Sequence, residues 1–457
     1  MKSQFLIAAA HSGAGKTTVT LGLLRALQRK GYRVQPFKCG PDYIDPIHHR
    51  TASGRDSINL DRFMMGDAHI RELYQQNGST ADICITEGVM GLFDGARKME
   101  GSSADIAQLL GLPVILVLNA KAMAYSAAAI LYGMKRFRPG IRIAGVIFNF
   151  VETASHYRLL QEACEDVGIP ALGHLPTEEA LRIPSRHLGL DTRDAEKAIG
   201  AAADHVDKHV DWEGLLRETA IEAADTGGTA TADPAPAGDF RQGSLRQKGL
   251  RQGSLRQVKT LIARDAAFHF LYQENIRRLE ERGSVYYFSP LEDDRLPIVP
   301  DLIYLPGGYP ELYLDTLAGN HTLLEQIRSW SAGGGKIIAE CGGMMYLGQT
   351  IADGDGKQYP MTGILGIATS MEKRKLHMGY RAVLLDGKSI KGHEFHYSQL
   401  AGGSAIGRAD AMTDSEVYNA RGERVEAPVF YTPRLLASYM HLYWGEDTSL
   451  LDKWLLY

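Results

Sequence analysis

Cysteine is scarce in this chain of 457 residues: there are four, Cys39, Cys84, Cys164 and Cys341, with no paired spacing among them. That excludes a zinc knuckle and a disulfide scaffold, and it points to a reducing, cytoplasmic compartment. Long apolar runs are also lacking, so nothing is expected to span a bilayer. The apolar stretch near the N-terminus is too short for a signal-peptide core and leads straight into a glycine-rich loop. Neither sign of charge dominates: 50 Lys and Arg against 54 Asp and Glu give a formal net charge of −4, with no bias toward nucleic acid or an anionic membrane. Apolar side chains are abundant. At 44% they suffice for two buried cores in a chain long for a single domain.

The run Lys336-Ile337-Ile338-Ala339-Glu340-Cys341-Gly342-Gly343 reads as an apolar strand, a sharp turn carrying a thiol, and a helix start. A sulfur there projects from the turn beside the positive end of a helix, where a thiolate is expected to be favoured. Upstream, Leu302-Ile303-Tyr304-Leu305-Pro306-Gly307-Gly308 ends another strand in paired glycines. N–H groups near Gly308 and Gly342 are candidates to receive an oxyanion. Downstream, Ala437-Ser438-Tyr439-Met440-His441 brings an imidazole to the end of a third apolar run. Cys341 as nucleophile and His441 as its base form a set suited to taking ammonia from glutamine.

A second centre lies near the start. Phe5 to Ala10 is an apolar strand, His11-Ser12-Gly13-Ala14-Gly15-Lys16-Thr17-Thr18 follows, and Val19 to Gln28 has helical periodicity. Strand, glycine loop and helix make a phosphate-binding P-loop, although Ala10 stands where the first glycine is usual. Gly13 and Gly15 let N–H groups turn onto phosphate oxygens, Lys16 reaches the β and γ phosphates of ATP, Thr17 is a ligand for Mg²⁺, and Thr18 completes the turn. Acids follow at later strand ends: Asp42 and Asp45 in the loop after Val34-Gln35-Pro36-Phe37-Lys38-Cys39, then Glu87 and Asp94 in Glu87-Gly88-Val89-Met90-Gly91-Leu92-Phe93-Asp94. Thr17, Asp45 and Glu87 are the expected metal ligands, and Asp42, Asp45 and Asp94 the expected substrate contacts. Asn149, after another strand, either pairs with an adenine edge or simply forms a turn.

Apolar runs at Val114 to Leu118 and Ile143 to Phe148, separated by helical segments such as Ala122 to Phe137, predict a parallel sheet covered on both faces. Composition then shifts to Gly, Ala, Thr and Pro, and Arg241-Gln242-Gly243-Ser244-Leu245-Arg246-Gln247 recurs as Arg251-Gln252-Gly253-Ser254-Leu255-Arg256-Gln257. That is linker material, a solvated duplication. The predicted organisation is a nucleotide-binding domain at 1–222, a flexible linker at 223–257 and a second α/β domain at 258–457. In Gly392-His393-Glu394-Phe395-His396-Tyr397-Ser398 a spacing of three puts His393 and His396 on opposite faces of a strand, which predicts substrate contact or strand-end hydrogen bonding rather than a metal.

Together these motifs resemble the cobyrinic acid a,c-diamide synthase family. The resemblance covers both domains and implies a dethiobiotin-synthetase-like P-loop domain fused to a class I glutamine amidotransferase domain. It implies amidation of the a and c carboxylates of a corrinoid acid in cobalamin biosynthesis through an acyl phosphate, with one ATP and one glutamine consumed for each carboxylate and Mg²⁺ as cofactor. The implied partners are small molecules, with a homodimer as the candidate assembly. Class I amidotransferases place a glutamate two residues after the histidine. Tyr443 stands there and Glu446 is out of step, so the site is either a dyad or has another residue orienting His441. Hydrogenobyrinic acid and nickel-sirohydrochlorin are alternative acceptors. A P-loop switch ATPase is the non-amidating alternative and requires an inert Cys341.

Overall fold

The computed structural model describes residues 2–178, 181, 192–221, 257–401 and 415–456. The predicted linker and the duplicated basic segment lie outside the described residues, apart from Gln257.

The first sheet comprises β1 (Lys2–Ala9), β2 (Val34–Cys39), β3 (Ile58–Leu60), β4 (Ile83–Glu87), β5 (Val114–Asn119), β6 (Ile143–Asn149) and β7 (Ala171–Leu175), in the order β3-β2-β4-β1-β5-β6-β7, with every neighbouring pair parallel. Its strands are apolar without alternation because both faces are covered. In β1 the period of two divides the side chains between two cores: Phe5 and Ile7 pack into one, Leu6 and Ala8 into the other. The chain then returns through β8 (Ala220–Ile221), which lies antiparallel to β1 with Lys2 opposite Ile221, and Ser3 Oγ meets Thr219 Oγ1 at 2.6 Å. The helix after the P-loop, α1 (Lys16–Arg29), contains the predicted span. The helix expected from Ala122 begins only at Ala127 and ends at Phe137. Turn bonds hold the residues before it, Lys121 N to Asn119 Oδ1 and Met123 N to Ala120 O.

A second parallel sheet comprises β9 (Val258–Ala263), β10 (Gly283–Phe288), β11 (Leu302–Leu305) and β12 (Lys336–Glu340) in the order β10-β9-β11-β12. Strand Leu435–Ser438 continues the sheet parallel to β12. An antiparallel sheet of Glu416–Asn419, His377–Leu385, Lys388–His396 and Met440–Leu442 shares a core with it, in which Ile262, Tyr304 and Ile338 join Val383, Ile390 and Leu442.

The domains meet along a polar and aromatic seam. Tyr43 Oη and Tyr272 Oη are 2.7 Å apart, Tyr380 donates to Asp61 Oδ2 (2.6 Å), Gly66 N donates to Glu446 Oε2 (2.8 Å), and His69 Nε2 lies 2.8 Å from Tyr443 Oη. Phe270, Tyr272, Tyr309 and Tyr443 enter the same apolar cluster as Tyr43, Leu60 and Met64 of the first domain. In both parallel sheets the chemically interesting residues stand at or just beyond the carboxyl ends of strands, where open α/β sheets bind ligands.

Candidate active site

The P-loop joins β1 to α1. Gly15 has φ +96°, and a β-carbon built on it would stand 2.1 Å from Asn149 Nδ2, so only glycine lets the loop pass. Asn149 donates that same nitrogen to Ala14 O (3.0 Å), and its Oδ1 accepts from Phe150 N (3.0 Å). The amide considered for an adenine edge is therefore tied to the underside of the loop. Gly13, at φ +80°, has open space where a β-carbon would go. Lys16 Nζ donates to Met90 O in the loop after β4, and Thr18 sits in the first turn of α1.

Thr17, Asp45 and Glu87 are brought together, with Lys38 among them. Thr17 Oγ1 donates to Glu87 Oε1 (2.6 Å), and Lys38 Nζ donates to Asp45 Oδ2 (2.6 Å) and Glu87 Oε1 (3.0 Å). His49 Nε2 lies 2.7 Å from Glu87 Oε2. Lys38, Asp45, His49 and Glu87 are all buried. Burial opposes the charge on Lys38, but Asp45 and Glu87 outweigh it and hold the ammonium above its ordinary value. Burial likewise pushes Glu87 up, and Lys38, His49 and Thr17 reverse that, leaving a firm carboxylate. Asp45 moves the other way, pushed up to about 7 by burial and the neighbouring Asp42 against the pull of Lys38. Asp42 Oδ1 accepts from Ile44 N and Asp45 N (2.9 and 3.0 Å), fixing the turn that aims Asp45. Asp94 is exposed and outside these contacts, its Oδ2 accepting from Gly91 N (2.9 Å).

Among the described residues no group of three or more His, Cys, Asp and Glu side chains could cage a metal ion. A hydroxyl and one carboxylate still fit Mg²⁺, which typically takes one or two protein oxygens and fills its remaining positions with water and phosphate.

In the second domain Cys341 sits at φ 48°, ψ −106°, a strained elbow between β12 and helix Gly342–Leu347. Its N–H donates to Ser438 O (2.7 Å) and its thiol to Phe395 O (3.6 Å). The expected thiolate is not the resting state. Burial pushes the thiol up and Glu311 adds to the push; desolvation outweighs the short helix behind it. His441 is fully buried, and burial, with His393 and His396 adding repulsion, holds it well below the usual histidine range. Both shifts favour the neutral forms, and neither ring nitrogen of His441 has a hydrogen-bond partner among the described residues. A β-carbon on Gly307 would stand 2.1 Å from His441 Cε1, so this strand end must be glycine. Gly308 N is 3.3 Å from the β-carbon position of Gly342, which sets the two candidate oxyanion segments side by side.

Tyr443 and Glu446 both face the seam, bonded to His69 and Gly66, and neither orients His441. The carboxylate that faces it is Glu340, directly before the cysteine: Oε2 lies 3.9 Å from His441 Nδ1 and accepts from Tyr304 Oη (2.8 Å), while Oε1 accepts from Leu442 N (3.0 Å). Burial pushes Glu340 up to about 8. Sequence reasoning missed this residue and His49; for Glu340 the available signal was an acid ending an apolar strand, while His49 lies within helix Asp45–Ser53 and gave none. His396 bonds Glu394 Oε1 (2.9 Å) and Ser398 O (2.8 Å), the strand-end hydrogen bonding expected of it.

A P-loop nucleotide-binding domain joined to a thiol amidotransferase domain defines a glutamine-hydrolysing carbon–nitrogen ligase. Residues 5–190 match the CobQ/CobB/MinD/ParA nucleotide binding domain, and residues 259–449 the CobB/CobQ-like glutamine amidotransferase domain. The chain is 39% identical over 453 residues to hydrogenobyrinate a,c-diamide synthase of Brucella suis biovar 1, covering 96% of this chain and 98% of the relative. It is 37% identical over 454 residues to cobyrinate a,c-diamide synthase of Caldanaerobacter subterraneus subsp. tengcongensis (96% and 94% covered), and 38% identical over 468 residues to that of Listeria innocua (98% of both). The chain belongs to the cobyrinate/hydrogenobyrinate a,c-diamide synthase family.

Proposed function

We propose that this protein amidates the a and c carboxylates of cobyrinic acid, at the expense of ATP and glutamine, in cobalamin biosynthesis. The observation that carries the reading is kinship over 96% of this chain and 98% of the relative, supported by two strand-end residue sets that meet at Tyr43 and His441. A carboxylate and ammonia do not condense usefully in water, so the carboxylate oxygen attacks the γ phosphorus, ADP departs, and an acyl phosphate results. Lys16 neutralises the phosphates, Lys38 between Asp45 and Glu87 faces the reacting groups, and Asp45 positions the acceptor. Thr17 and Glu87 would hold Mg²⁺, which supplies charge neutralisation at the transferred phosphoryl group.

At the other site Cys341 attacks the glutamine amide, its proton passing to His441 and then to the departing ammonia. N–H groups at Gly308 and Gly342 receive the oxyanion, and water releases glutamate from the thioester. Glu340 answers the charge that forms on His441. Ammonia then displaces phosphate from the acyl phosphate. Substrates of this kind, together with the free buried thiols of Cys39, Cys84, Cys164 and Cys341, support a cytoplasmic location.

The test is mass spectrometry of cobyrinic acid incubated with enzyme, ATP and glutamine. Two hydroxyl-to-amino exchanges, dependent on both co-substrates, are expected. Exchange on hydrogenobyrinic acid alone would move the acceptor to the metal-free corrin, and absence of exchange on either acid would overturn the reading.

A further inference from the structure

On the seam between the domains lies a cavity of about 260 Å³, lined by Ala96 from the loop after β4 and by Tyr380, Arg381, Asn419, Arg421 and Glu423 from the antiparallel sheet. It falls below the roughly 300–1,000 Å³ that encloses a whole drug-sized ligand, so it suits one arm of a larger molecule. Tyr380 ties this lining to the first domain, donating to Asp61 Oδ2 (2.6 Å) and lying tilted against Phe63 at 4.6 Å between ring centroids.

Two guanidinium groups line the cavity, and one of them keeps an unanswered N–H. Arg381 uses one guanidinium nitrogen on Glu394 Oε2 (2.7 Å) and another on Tyr380 O (2.9 Å), while its buried Nε finds no acceptor among the described residues. A buried cationic N–H left without a partner is costly, and an entering anion relieves it. The acid that lines the cavity is already engaged, Glu423 Oε2 accepting from Asn419 Nδ2 (2.8 Å). Asn419 Oδ1 in turn accepts from Arg421 N (2.8 Å) and Glu423 N (3.1 Å), which fixes the turn that presents Arg421. A planar guanidinium fork matches a carboxylate in two bonds. Any substrate amidated at both an a and a c carboxylate carries a second acid while the first reacts.

We propose that this seam cavity binds a carboxylate arm of the acceptor that is not being amidated, through Arg381 and Arg421, and so sets which arm reaches the P-loop. The proposal rests on the functional reading above. Its test therefore includes direct binding of cobyrinic acid, followed by equilibrium dialysis with no ATP or glutamine present, beside steady-state amidation. Arg421→Ala, on an exposed turn, and Arg381→Lys, which keeps the charge but loses the fork, should each raise the acceptor Kd and KM about tenfold, with the KM values for ATP and glutamine held within about twofold. The acceptor KM should rise with ionic strength in the wild type and rise less in Arg421→Ala. An unchanged acceptor Kd in Arg421→Ala, or equal rises for all three substrates, would overturn the proposal. Wild-type enzyme that binds cobyrinic acid through these arginines without amidating it would sink the functional reading and spare the cavity.

Discussion

The Tyr43 ring lies 4.6 Å, centroid to centroid, from the His441 imidazole, although Tyr43 belongs to the loop carrying Asp42 and Asp45 and His441 to the thiol site. Phe270 stacks on Tyr43 at 4.9 Å and lies 5.6 Å from His441, so the three rings meet mutually and the loop bearing Asp42 packs into the amidotransferase domain. The two loops thus share one packed contact. Tyr43→Ala should loosen that link, raising glutamate released per amide formed about fivefold. A ratio equal to the wild type's would show that the ring contact transmits nothing.

Cys341→Ser should abolish glutamine-dependent amidation, by about 10³-fold or more, yet retain amidation driven by high ammonium salt, because the ATP site is untouched. Parallel loss of both activities in a folded variant would contradict the two-site division.

Glu340 supplies a pH dependence. Its folded value is raised to about 8, so it is protonated below that pH and charged above it, and only the charged form stabilises an imidazolium on His441. Glutaminase kcat/KM should therefore climb through about pH 8 and level off, while the base His441, whose value is lowered, adds no loss around pH 6.5. Glu340→Gln should flatten the climb. Retention of the same limb in that variant would assign it elsewhere.

Lys16→Ala and Glu87→Gln should suppress amidation from glutamine and from free ammonia alike. Glu87→Gln also leaves the buried Lys38 one carboxylate short and should cost about 3–5 kcal/mol of stability, read from denaturant unfolding. Ammonia-dependent synthesis surviving in Lys16→Ala would refute the assignment of this domain to carboxylate activation.

Asp45→Asn should impair corrinoid turnover more than nucleotide affinity, since its carboxylate accepts from Lys38 at the end of β2, beside the loop proposed to receive the acceptor. Comparing ATP affinity with amidation rate tests this; normal amidation would remove Asp45 from the site.

The sequence showed most clearly what is local. The P-loop, the elbow at Cys341 and the strands around Val114 and Ile143 are each specified by a dozen neighbouring residues. What escaped it depends on distant pairing. Strands Lys388–His396 and Met440–Leu442 set His393 opposite His441, and Tyr304 and Leu442 turn Glu340 into a partner of that histidine. Lys38 sits in an apolar strand, where only the neighbouring β4 reveals that its amine lies between two acids. The resting state of Cys341 was misjudged for a related reason: a helix start can be read from a turn, but the depth of burial that overrides it is set by the whole domain.

The antiparallel pairing of β8 with β1 places Lys2 opposite Ile221, so the stretch of chain between them closes on itself within one sheet. A unit whose ends touch can be rewired without disturbing its interior. A few residues bridging Ile221 to Lys2, with new ends opened in a surface turn such as that around Gly31, should give a circularly permuted half with the same core. Such a rewired chain must still keep the seam that holds Tyr43 against His441.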